Sequence, residues 1–143
     1  VKITSNTTRK VNISVSVKTE EGTKHLGTKE FRVLNVPTPI AKFNGTKSQG
    51  PIYKNDLRTG YVDAALGESF FPFDVDFRVV RFSFAYKVRG QKKRIQVNGN
   101  RLNAEAKQSL NGLSRGTQIN FESIKVKGPS GVKQTAPITL ELR

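Results

Sequence analysis

Few side chains in this 143-residue sequence are of types that do chemistry, and fewer stand at useful spacings. His25 is the one histidine, and the chain has no cysteine to join it in a metal site. Beside a turn and without a carboxylate cluster, it reads as a surface side chain. Asp74 and Asp76 sit two apart on an extended stretch, so they share a face. Such a pair can move protons or hold a hard cation. Here it alternates with aromatic residues and precedes Arg78, so a solvent-facing Asp-Asp-Arg row is the plainer reading. No glycine-containing loop has phosphate-loop spacing with its lysine, and Gly128-Pro129-Ser130-Gly131 is turn chemistry. Asn6-Thr7-Thr8, Asn12-Ile13-Ser14 and Asn44-Gly45-Thr46 match the glycosylation acceptor pattern, which matters only in a eukaryotic secreted protein. Neither catalysis, nor a metal, nor a cofactor is expected.

What remains is charge. The chain carries 25 Lys and Arg against 11 Asp and Glu, a net +14. Such a surplus suits nucleic acid, acidic lipid headgroups or an acidic protein, although scattered solubilising lysines would give it too. The densest run, Arg89-Gly90-Gln91-Lys92-Lys93-Arg94, falls where a hairpin tip belongs. A nucleic-acid sheet would add exposed aromatics for stacking. The aromatics here are in phase with aliphatics, which is a core pattern.

The elements that hold this run are strands. Residues 70–86 alternate strictly, with Phe71, Phe73, Val75, Phe77 and Val79 on one face. The apolar set then moves to Val80, Phe82, Phe84 and Tyr86, a one-residue phase change that a β-bulge at Val79-Val80 or a change of sheet would absorb. The spine strand is expected from about Phe71 to Val88. Val11, Ile13, Val15 and Val17 alternate likewise, and with a return over Lys24 to Val36 they make a half-buried hairpin. Val36-Pro37-Thr38-Pro39-Ile40 is the best boundary, because two prolines force extended backbone and remove two donors. Tyr53 to Leu57 suits a short helical turn. Leu102, Ala106, Leu110 and Leu113 define one helix face, capped by Asn100 or Asn103. The tail forms a second hairpin, with a phase shift at Glu122-Ser123 and Ile138, Leu140 and Leu142 on the return. Pro137 means that the last strand starts late or lies at an edge. No run is long and apolar enough for a bilayer, and the opening Val1 suggests a processed or excised piece.

From Phe31 onward the sequence resembles the C-terminal periplasmic region of the gliding-motility GldM and PorM family of Bacteroidetes. Phe31-Arg32-Val33 leading to Pro37-Thr38-Pro39 is similar to that family's Phe-Arg-Val and Pro-x-Pro. Phe73-Asp74-Val75-Asp76-Phe77 with Val79 and Phe82 resembles its Phe-Asp-Phe-Asp segment. Gly116 to Ile124 with Gly128-Pro129-Ser130-Gly131 resembles its closing hairpin. The positive charge and Tyr61-Val62-Asp63 depart from the family pattern.

The resemblance implies a non-enzymatic, periplasmic, dimeric adaptor of the type IX secretion system, from an inner-membrane-anchored protein. It would link the inner-membrane motor to outer-membrane ring proteins, without nucleic acid. The expected fold is mainly β: an Ig-like or β-sandwich-type domain of antiparallel strands over 37–143, with one short helix at about 101–113. Residues 1–36 would be the last hairpin of a preceding Ig-like domain, exchanged between protomers or not. Arg89, Lys92, Lys93, Arg94 and Lys47 are the candidate partner-binding residues. The rival reading is a basic β module for nucleic acid or acidic polysaccharide. A carbohydrate-binding sandwich ranks last, since Trp is absent and the three tyrosines are dispersed.

Overall fold

The computed structural model describes residues 10–67, 71 and 74–143. Asn6 and Arg9, and Phe70, Pro72 and Phe73 of the expected spine, lie outside those residues. Two compact units divide the chain, residues 1–36 and 37–143.

The first unit is a hairpin of β1 (Lys10–Thr19) and β2 (Gly22–Arg32), paired antiparallel around Glu20-Glu21. The alternation of Val11, Ile13, Val15 and Val17 does produce a strand. The expected core contact does not follow, since Val15 is 54%, Leu26 58% and Phe31 42% exposed. One two-stranded sheet has no second layer on which to bury a face. The register slips once between Val15 and Ser16, leaving Leu26 unmatched on β2. On the polar side Ser14, Thr28, His25 and Ser16 link in a chain of side-chain hydrogen bonds. β2 stops at Arg32, short of the expected Val36.

The second unit is mainly β, two layers of sheet with two helices. β3 (Ile40–Phe43) pairs with β5 (Val62–Ala65). Between them come β4 (Gln49–Ile52) and α1 (Lys54–Thr59), the helical turn that Tyr53 to Leu57 suggested. β6 (Arg78–Val88) and β7 (Gln91–Asn98) form a hairpin, followed by α2 (Ala104–Asn111). Then come β8 (Gln118–Gly128), β9 (Gly131–Gln134) and β10 (Ile138–Leu142). The large sheet runs β4-β10-β8-β6-β7, with β9 on β8.

β6 begins at Arg78, later than the alternation suggested, and Val75 and Phe77 approach it without pairing. The bulge foreseen at Val79-Val80 is present. Val79 and Phe82 are both buried whereas Val80 is 38% exposed, so Val80 is excluded from the core in which the alternation placed it. β8 makes the same step: Phe121 and Ile124 are buried and Ser123 between them has φ 50°. β9 and β10 hold β8 in one continuous register, broken where Pro137 has no N–H to give. β10 starts late, as Pro137 allowed, but is interior, because β4 adds to it in parallel.

The core lies between the layers. Phe121 is its hub, with ring centroids 5.4 Å from Phe43, 5.2 Å from Phe82 and 5.9 Å from Phe84. α2 buries Ala106 and Leu110, flanked by Leu102 and Leu113, as the helical spacing predicted. It is shorter than the expected 101–113 because Asn103 caps it, its side chain accepting from the Ala106 N–H at 2.9 Å, and Gly112 closes it. Lys54 Nζ and the Arg58 guanidinium both donate to Asn111 at the C-terminal end of α2, joining the helices where the dipole favours cations.

Candidate contact surface

The hairpin tip is narrower than the basic run. Val88 pairs with Gln91, so the turn is Arg89-Gly90 alone, with φ of 51° and 78°. Both central residues at positive φ make the primed turn that matches strand twist. Lys92, Lys93 and Arg94 therefore belong to strand β7 and not to a loop. That strand is an edge of the large sheet, and lysines on an edge discourage pairing with other chains.

Alternation then divides the run. Ile95 and Val97 point into the core, which puts Lys92 and Arg94 on the outer face and Lys93 on the other side, opposite Tyr86. On the outer face a single carboxylate, Glu122 of β8, takes both cations. Lys92 Nζ is 2.6 Å from its Oε1, and Arg94 Nη2 is 2.8 Å from its Oε2. β6 runs between β7 and β8, so these side chains pass above Ser83 and Ala85, which are 4% and 0% exposed. Small residues fit there because the ionic strap is their cover. The hydrogen bond from Lys92 holds the Glu122 carboxyl below its ordinary value against an upward push from desolvation, and Arg94 adds to the lowering.

Lys47 stands apart. It lies in the loop before β4, the opposite edge of the sheet, and its Nζ donates to the Pro51 carbonyl at 2.8 Å. Ser48 and Ile52 turn their carbonyls to β10, accepting from Thr139 and Arg143. Pro51 therefore faces outward with no N–H to offer and its oxygen occupied. The structure brings Arg89, Lys92, Lys93 and Arg94 to one end of one hairpin and does not bring Lys47 to them.

Three strands of the outer face carry more charge than the run suggested. Arg78, Arg81 and Lys87 on β6, and Lys125 and Lys127 on β8, all point away from the core. Glu122 is the one carboxylate in β6, β7 and β8. Alternation marks these residues as outward in the sequence, but it cannot say that β6 and β8 are neighbours.

Among the described residues nothing nearby resembles a reaction centre. The broad trough along β10, lined by Gln49, Gly116, Gln118, Thr139 and Glu141, holds one titratable group. Asp74 and Asp76 line a shallow, open depression with Arg78 and Lys127. Among the described residues no His, Asp and Glu gather as a metal site would require, and no helix is long and apolar enough to cross a membrane.

Residues 37–143 match the family model described as the GldM C-terminal domain. No curated protein matches the chain.

Proposed function

The chain belongs to the GldM family, structural components of type IX secretion and gliding motility, and from that premise we propose a periplasmic, dimeric, non-enzymatic adaptor. In this reading the full protein is anchored in the inner membrane. It hands motion from an energised motor to ring proteins beneath the outer membrane, and the second unit is the end that touches them. The family match over 37–143 is the observation that carries the reading. A closed two-layer core beside an open, charged sheet face supports it, being suited to protein contact and not to chemistry.

The dimer rests on the hairpin. Val15, Val17, Leu26 and Phe31 leave an apolar face that β1 and β2 cannot cover alone. A second copy offering the same hairpin closes it with the least new structure. Light scattering should give a dimeric mass; a strictly monomeric mass would remove this part.

The ring contact is assigned to Arg89, Lys92, Lys93 and Arg94, with the Lys47 loop as a separate, second contact. The chain used as bait in the envelope of a gliding bacterium should retain outer-membrane ring lipoproteins. Reversal at Lys92 or Arg94 also breaks the Glu122 bonds, so Arg89→Glu with Lys93→Glu is the cleaner variant. Retention undiminished by that pair would exclude the tip.

A further inference from the structure

On the outer face of the large sheet, three cross-strand partners are like-charged. Lys87 stands opposite Lys92, Arg81 opposite Lys125, and Arg78 opposite Lys127. Directly opposed like charges weaken a sheet, so folding alone does not account for three such pairs on adjoining strands. Lys92 has Glu122 as a counter-charge, and Lys125 donates to the neutral Gln134 amide oxygen, 2.7 Å away, with no ion pair to a described residue. Arg78, Arg81, Lys87 and Lys127 make no ion pair with a described residue, although Asp74 and Asp76 lie beside Arg78 and Lys127.

We propose that this face is the seat of an extended acidic polypeptide segment of the partner, whose carboxylates relieve the three cation pairs. The inference deepens the protein-contact reading above and moves its centre from the tip to the flat of the sheet. From Arg78 to Lys87 the pairs span roughly 30 Å at strand rise, the reach of an extended segment of about ten residues. Arginines present planar forks that a carboxylate meets with two bonds. Val80 and Val132, 38% and 58% exposed, give side chains of the same segment an apolar footing beside the cations. A polynucleotide fits less well. Phe82, Phe84 and Tyr86 are buried on the opposite side, which leaves no stacking surface, and Glu122 stands in the middle of the path.

The test uses the 143-residue chain and a labelled decaglutamate peptide at low salt. Ten-nucleotide oligo-dT and phosphatidylserine vesicles are the comparison probes. Arg78→Ala/Arg81→Ala/Lys87→Ala should weaken peptide binding at least about tenfold and melt above the parent, because an opposed cation is gone from each pair. A control triple with the same loss of charge, Lys18→Ala/Lys24→Ala/Lys42→Ala, should stay within about threefold. Equal loss in both triples would reduce the effect to net charge and overturn the proposal. So would a lower melting temperature in the first triple, or oligo-dT or vesicles binding more tightly than the peptide. If the first triple still captures ring proteins as the parent does, this face is excluded while the adaptor reading stands.

Discussion

Val80 and Ser123 answer each other across the pair of central strands. The residue inserted into β6 at Val80 shifts its register against β8, and the one inserted into β8 at Ser123 shifts it back. Each bulge turns two residues outward, so Val79 with Phe82 and Phe121 with Ile124 all reach the core. Either bulge alone would turn half of one strand inside out.

That relationship predicts an unusual deletion series. Removing Val80 or Ser123 singly should abolish cooperative unfolding or cost several kcal/mol, since core side chains would face water. Removing both restores the β6-β8 ladder with every buried residue still inward, and the one-residue slip it leaves on the other edge of β8 falls at the break between β9 and β10. The double deletion should be more stable than either single one, with a coupling of roughly 1–3 kcal/mol in denaturant melts. A double deletion no better than the worse single would mean that the bulges are independent.

Ser123 also pays for its backbone conformation, a left-handed φ of 50°. Ser123→Gly should be neutral or stabilising by up to ~1 kcal/mol, and Ser123→Val destabilising by ~1–2 kcal/mol. Thermal melts of the two variants check the order.

Glu122 should make stability pH-dependent. Its folded value lies below its unfolded one, so the contribution is complete above the unfolded value and is lost as pH falls through the folded one. At neutral pH Glu122→Gln should cost about 1 kcal/mol, a modest figure because Lys92 and Arg94 side chains are 44% and 57% exposed. Between about pH 5 and 3 the parent should lose more melting temperature than the variant. Parallel curves would show that the strap contributes nothing.

Gly60 is needed for space and not for its φ of −74°. A methyl group there would overlap the Phe43 ring and stand 2.7 Å from Asn44 Oδ1. Phe43 is 1% exposed and has no room to retreat, so Gly60→Ala should destabilise by ~1–3 kcal/mol. An unchanged denaturation midpoint would contradict that packing.

Asn103 does two things at once. Its oxygen caps α2, and its Nδ2 donates to the Gln96 carbonyl on β7 at 3.3 Å. Asn103→Ala should cost about 1–2 kcal/mol, and Asn103→Ser less, because serine keeps the cap.

Much of this architecture was legible because alternation reports faces directly. The bulge at Val79-Val80, the phase change at Glu122-Ser123 and the Leu102, Ala106, Leu110, Leu113 stripe all follow from periodicity. The bare face of the first hairpin was not legible, since alternation announces a face and not its cover. The parallel addition of β4 was hidden too: Gln49-Gly50-Pro51-Ile52 is short and contains residues poor in strands. The basic run was visible, yet its division by Glu122 and the opposition of Arg81 to Lys125 depend on which strands adjoin, and that is fixed by the core.

The parallel β4-β10 pair has a mechanical consequence. β4 lies near the front of the second unit and β10 at its rear, both pointing the same way. Pulling the two ends apart therefore slides one strand along the other, and the bonds from Thr139 to Ser48 and from Arg143 to Ile52 are strained together. A hairpin pulled at its open end unzips one rung at a time; this pair resists in shear.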